Sequence, residues 1–279
     1  MPSEVDAGSF RDRRGNIFFQ NGRVYRSITS AALSDFEFVR STGLLDRLRE
    51  REQVIAEEVV DDIEGAPENA ALVIEHPKLP FVSYPYEWSF NALKAAALLH
   101  LDVHLAALDC GVNMTDATAY NVQFRGATPV FIDMLSFVRY AEGEYWIGHQ
   151  QFCNQFLNPL LLRAKLGVPH NAWYRGALEG IPTDELNRLL SWRQKMSWKT
   201  FTHVTLQARF QRSARTNDQA LARAETRKLP LVGYKEILRG LRSWVSSLDP
   251  KDESRTDWDD YEITNSYTSE EDAAKRSYV

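Results

Sequence analysis

"TDATAYNVQFRGATPVFID", residues Thr115–Asp133, decides how this chain is read. It holds Asp116, then Asn121, a short apolar run, a turn at Arg125-Gly126, and a second apolar run ending in Asp133. Two such runs around a Gly-bearing turn predict an antiparallel hairpin that returns Asp133 to the side of Asn121. Gathering two carboxylates and a carboxamide is costly unless something pairs with them. Oxygen ligands on a short loop suit a hard cation such as Mg²⁺, which completes its octahedron with water and phosphate. A carboxylate one loop away can accept the proton of an attacking hydroxyl, and phosphoryl transfer requires that combination. The competing reading is turn capping, because Asp and Asn routinely satisfy backbone groups in loops.

Upstream, "SFNALKAAALLHLDVHLAALDC" predicts a long apolar helix from Ser89 to Cys110, stopped by Gly111. "GNIFFQNGRVYRSI" predicts a hairpin about Asn21-Gly22, since both central positions of its turn need positive φ. "SDFEFVRSTGLLDRLRERE" predicts a helix capped at Ser34 and broken at Gly43. "EEVVDDIEGAPENA" reads as strand and loop, and "ALVIEHPKLPFVSYPYEW" as two strands joined by a Pro-bearing turn. Downstream of the central hairpin the pattern is helical, through "HQQFCNQFLNPLLLRAKLG", "PTDELNRLLSWRQ", "TFTHVTLQARFQRSARTNDQALARAE" and "GYKEILRGLRSWVSSL". The acidic, polar tail reads as a linker running into a final amphipathic turn.

Composition is that of an ordinary globular protein of 279 residues, with 44% hydrophobic and 25% charged residues. The formal charge of −5 argues against nucleic acid as a partner, and the Arg-rich run Arg209–Arg227 reads as a solvated helix face. No stretch approaches the roughly 18 apolar residues of a membrane span, and the opening residues have no apolar core of a secretory signal. Cys110 and Cys153 cannot build a disulfide framework and are expected to be buried thiols. A cytoplasmic location follows as the expectation. His100 and His104, one turn apart, and His149 with Cys153 have ligand spacing, but an amphipathic core helix explains both pairs better. Tyr120, Trp192, Trp198 and Trp244 read as packing residues.

The segment "GVNMTDATAYN" resembles the catalytic loop of the protein-kinase-like superfamily, and "NVQFRGATPVFID" is similar to its aminoglycoside-phosphotransferase branch. The resemblance implies an α+β, two-lobed protein-kinase-like fold with a small β-rich lobe and a larger helical one. Residues 1–14 would be a flexible N-terminus, 15–88 the small lobe and hinge, 89–248 the helical lobe, and 249–279 an acidic linker. It also implies Asp116 as catalytic base and Asn121 and Asp133 as metal ligands. ATP and Mg would be the cofactors, with adenine held at the hinge by Tyr84 and Tyr86. Arg26 would stand in for the missing strand lysine and touch phosphate, with Glu37 as its partner. Besides that lysine, the chain departs from the family pattern in three places. Met114-Thr115 replaces His-Arg before Asp116, no Gly follows Asp133, and the tight "QNGR" turn replaces a Gly-rich loop.

A second resemblance covers nearly the whole chain. "GRVYRSI", "STGLLDRL", "PFVSYPYEWSFNALKAAAL", "DATAYNVQF", "PVFIDMLSF", "QFCNQFLNPLLL" and "YEITNSYTSEEDAAKRSYV" look like the N-terminal half of a bacterial family that includes rhizobial nodulation-associated proteins. Its members carry an S-adenosylmethionine-dependent methyltransferase domain after this region. The resemblance implies that this cofactor would act only through a domain absent from this chain, with a covalently linked or partner methyltransferase. Three functions remain open: phosphate transfer to a small-molecule or glycan hydroxyl, a catalytically inactive pseudokinase module, or a truncated methyltransferase-family protein.

Overall fold

The computed structural model describes residues 4–6, 9, 12–60, 63, 65–144, 146–195, 229–251 and 267–278. The segment "TFTHVTLQARFQRSARTNDQALARAE", the run Arg209–Arg227, Trp198 and most of the acidic linker lie outside the described residues.

The N-terminal part is an antiparallel sheet of five strands: β1 (Glu4–Val5), β2 (Ile17–Gln20), β3 (Arg23–Thr29), β4 (Glu58–Val60) and β5 (Ala70–His76), in the order β1-β2-β3-β5-β4. Asn21 and Gly22 turn β2 into β3 with φ of 50° and 77°, the positive values expected of the dipeptide. The pairing of Glu4 and Val5 with Phe19 and Phe18 falls in the segment read as a flexible N-terminus. Side chains alternate across β3. Tyr25 joins Phe18 and Val73 in a small cluster on one face, while Ile28 joins the main core on the other. Arg26 lies opposite Ile17 and Ile74, so it shares the core-facing side.

Two helices follow β3: α1 (Ser30–Ser41) and α2 (Leu44–Glu50). The break falls at Gly43, whose φ is 69°, but the first helix starts earlier than the sequence suggested. Thr29 occupies its N-cap and Ser34 lies inside the helix. The expected second strand after β5 does not form. Residues 77–84 carry no strand, and Pro85–Glu87 make a single 3₁₀ turn. Pro77 and Pro80 withdraw backbone donors, and the one strand-like contact is made by a side chain: Gln123 both accepts from Ser83 N at 2.9 Å and donates to Ser83 O at 3.0 Å.

Helix α3 (Phe90–Asp109) begins at the predicted cap, where Ser89 Oγ accepts from Ala92 N, and ends at Gly111 with φ 69°. Strand β6 (Val112–Met114) pairs with β9 (Phe137–Arg139), and between them β7 (Val122–Arg125) and β8 (Thr128–Phe131) form the predicted hairpin. Helix α4 (His149–Phe152) runs through a π turn, Cys153–Leu157, into α5 (Asn158–Leu166). Among the described residues the remaining helices are α6 (Asn171–Gly176), α7 (Thr183–Leu189), α8 (Trp192–Lys195), α9 (Leu231–Ser246) and α10 (Ser269–Tyr278). The architecture is thus mixed α/β, with a small sheet region and a larger helical part. One buried cluster runs from Ile28 and Phe36 through α3 to Leu241 and Leu248. Trp244 packs in it, whereas Trp192, expected to pack, is 66% exposed. Cys153 is buried and Cys110 only partly so. Among the described residues no helix is long and apolar enough to cross a membrane.

Candidate functional site

Asp116 follows β6, and the β6–β9 pairing fixes its height. Thr115 N donates to Ser136 O at 3.0 Å, so the loop bearing Asp116 is tied directly to the turn after Asp133. Asp116 Oδ1 accepts from Thr118 N at 2.9 Å, closing an Asx turn. Asn121 ends the following 3₁₀ turn, and Ile132 N donates to Asn121 O at 2.9 Å, which returns the second strand of the hairpin to it. The carboxamide of Asn121 then donates to Asp133 Oδ2 at 3.3 Å. From the sheet, Arg26 Nη1 meets Asp133 Oδ1 at 2.7 Å. Arg26, Asp116, Asn121 and Asp133 therefore lie together in the wall of one cavity of about 590 Å³, within the size range of small-molecule sites.

Helix α4 and its π turn hold the loop from behind. Gln151 Oε1 accepts from Ala117 N at 2.8 Å, and Gln155 Oε1 accepts from Ala119 N at 2.8 Å and Thr118 Oγ1 at 2.7 Å. Gly148 lies against the same loop, so close that an added Cβ would meet Ala117 Cβ at 2.8 Å. Burial raises the Asp116 carboxyl above its usual range. The Thr118 amide opposes that shift, the Asp133 charge adds to it, and hydrogen bonds from Gln151 and Asn121 also oppose it.

The other expected contacts fall differently. Tyr84 and Tyr86 are not among the cavity-lining residues. They stack on one another at 5.4 Å and 6°, with the Arg175 guanidinium 5.9 Å from the Tyr86 ring. Tyr120, read as a packing residue, does line the cavity, and its buried hydroxyl has no hydrogen-bond partner among the described residues. Burial first, then the neighbouring Tyr86, Glu179 and Tyr84, pushes that phenol up to about 12. Glu37 is exposed on α1, and the second carboxylate on Arg26 is instead Asp12, at 2.7 Å. Asp12 lay outside the sequence reading because no local pattern links it to a strand arginine.

His100 and His104 sit in the core with no exposure, ringed by Phe131, Phe152, Phe156, Trp146 and Tyr234. His149 and Cys153 come within 3.8 Å. Among the described residues no group of three or more His, Cys, Asp or Glu is arranged to hold a metal ion.

The donor set in the cleft is of the type a hard cation takes. It offers two carboxylates and a carboxamide, few enough to leave the coordination shell to water and phosphate. Asp133 Oδ1 is engaged by Arg26 and by Leu135 N at 3.2 Å, while among the described residues Oδ2 has only the long contact to Asn121.

The chain is similar to a nodulation protein. It is 41% identical over 281 residues to nodulation protein NoeA of Rhizobium meliloti (strain 1021), a match spanning 98% of this chain and 58% of that protein. The chain therefore spans less than two thirds of that relative's length, and the likeness supports kinship with nodulation-associated proteins. No protein-family model matches. Among solved structures, vaccinia related kinase 3 aligns at 10% identity and a TM-score of 0.32, covering 51% of this chain and 52% of that one.

Proposed function

We propose that this chain is a kinase-like module whose cleft binds a nucleotide together with Mg²⁺. The observation that carries the reading is the meeting of Arg26 from the sheet with Asp133 from the hairpin, in a cavity wall that also holds Asp116 and Asn121. The cavity is lined by four aspartates, Asp6, Asp12, Asp116 and Asp133, against Arg14 and Arg26. A phosphate chain entering such walls needs a divalent cation to offset the repulsion. Asp133, through Oδ2, and the Asn121 carboxamide would hold it, and the ion would supply charge neutralisation of the phosphates. Asp116, made more basic by burial, is suited to take the proton of a small-molecule or glycan hydroxyl, while Gln151 and Thr118 hold its carboxylate in place. The unpaired Tyr120 hydroxyl offers the ligand a hydrogen bond.

A second reading, a pseudokinase without turnover, is favoured by the turn at Asn21-Gly22, which is too short to fold over phosphates. Such a module would serve an attached or partner methyltransferase. The relative is longer than this chain, which leaves room in that protein for a further part, and in this reading S-adenosylmethionine would bind such a part. A cytoplasmic location belongs to the same proposal.

Thermal unfolding with Mg·ATP tests the reading. Ligand at one hundred times its dissociation constant adds about 2.7 kcal/mol of stability. Asp133→Ala is expected to lose the shift. Asp116→Ala should keep it while losing any phosphate transfer. S-adenosylmethionine is expected to leave the unfolding temperature of this chain unchanged. Absence of a shift with every nucleotide, with or without Mg²⁺, would overturn the proposal.

A further inference from the structure

Arg26 divides its guanidinium between two acids of different origin. Nη1 meets Asp133, part of the hairpin, and Nη2 meets Asp12 Oδ2, both at 2.7 Å. Side-chain exposure rises outward along this row, from 10% for Arg26 and 16% for Asp133 to 29% for Asp12. Asp12 is thus the outer acid, reached from the cavity it helps to line. Buried Arg26 Nε has no partner among the described residues, so the two acids do not saturate the guanidinium.

The segment that carries Asp12 is laid down deliberately. Arg14 N donates to Asp12 Oδ1 at 2.8 Å, turning the carboxylate, and Arg14 Nη2 pairs with Asp35 at 2.8 Å. Thr29 N donates to Arg14 O and Ser27 N to Asn16 O, both at 2.9 Å, along the edge of β3. Gly15 permits this approach, because a Cβ there would overlap the Ser27 carbonyl oxygen and meet Leu135 Cδ1 at 2.9 Å. Leu135 is two residues beyond Asp133, so segment 12–16 is in contact with the site itself.

We propose that segment 12–16 is a strap that fills the site's anion position from within. Asp12 takes the place on Arg26 that a phosphate oxygen of the ligand takes, and ligand binding displaces it. The inference rests on the nucleotide reading for the identity of the natural ligand, but the strap itself is a competition between two anions for one guanidinium. It keeps the Arg26 guanidinium occupied at rest and frees it for phosphate.

Inorganic phosphate is the test anion, titrated against the full chain at constant ionic strength and followed by thermal unfolding. Removing one charge-assisted contact that competes with phosphate is expected to lower the half-maximal concentration about tenfold in Asp12→Asn. Gly15→Ala, which lifts the strap by another route, is expected to shift it in the same direction and covers the case in which Asp12→Asn fails to fold. Adding Arg26→Gln to Asp12→Asn should abolish the response. Equal responses in the parent and the strap variants, or none in either, would overturn the strap. Mg·ATP titrated in parallel bears on the nucleotide reading alone, so the two can fail separately.

Discussion

Gln155 is 2% exposed, and its one side-chain oxygen serves Ala119 N, Thr118 Oγ1 and, at 3.4 Å, the Tyr174 hydroxyl. A leucine in its place would fill the volume but leave those donors buried without an acceptor. Each such group costs about 1–3 kcal/mol. Gln155→Leu is therefore expected to lose at least about 3 kcal/mol in urea unfolding, and an unchanged midpoint would refute the tether. The three polar residues of the hairpin were legible because they lie within one short stretch whose turn chemistry returns Asp133 to Asn121. Gln155 was not legible. A glutamine in an apolar helical pattern carries no mark of which loop its amide will reach.

At the scale of elements, the π turn Cys153–Leu157 shows how a local irregularity is kept by tertiary contact. The Asn154 carbonyl accepts from Ile181 N at 2.8 Å, and Asn158 Nδ2 donates to Ile181 O at 2.8 Å. Gly180 precedes this clamp with φ of 84°, and a Cβ there would overlap the Asn154 carbonyl and approach Gln155 Cα at 2.9 Å. Gly180→Ala is expected to cost at least about 1–3 kcal/mol through overpacking, with the positive φ adding to it. Urea unfolding checks it, and a neutral outcome would mean the clamp yields. Stops such as Gly43 and Gly111 were legible because αL glycine ends a helix by local geometry alone. The π turn and the missing strand at residues 77–84 were not, since a side chain far along the chain, Gln123, supplied what a partner strand would have.

The whole molecule is held by a core that joins the helical part to the sheet. Among the described residues four histidines, His76, His100, His104 and His170, are buried, and that burial lowers their pKa. Burial depresses His100 to about 3, with the neighbouring His104 adding to it. Burial takes His104 to about 4 against the opposing Asn113 hydrogen bond, and His170 to about 4. Their ordinary value is 6.5, so the folded state binds fewer protons than the unfolded chain below that pH. The stability they contribute is complete above pH 6.5 and is lost as pH falls toward the folded values. Glu57 and Asp116, raised by burial, act in the opposite sense. Between pH 6.5 and 5 each of His100, His104 and His170 is expected to cost roughly 2 kcal/mol. His100→Phe, which removes two ring nitrogens with no partner among the described residues, should recover about one such share; pH-dependent denaturation with an unchanged slope would refute this. The sequence by itself determined the local pieces: the Asn21-Gly22 turn, the helix from Ser89 to Gly111, and the Asp116, Asn121 and Asp133 set. Propensity, capping and turn chemistry act over a few residues and need nothing else. Only the tertiary structure decided that Arg26 answers Asp12 and Asp133, that Tyr120 rather than Tyr84 or Tyr86 faces the cavity, and that Gln155 holds the loop. Those pairings join residues far apart in the chain, and their energies arise only once packing has excluded water from between them.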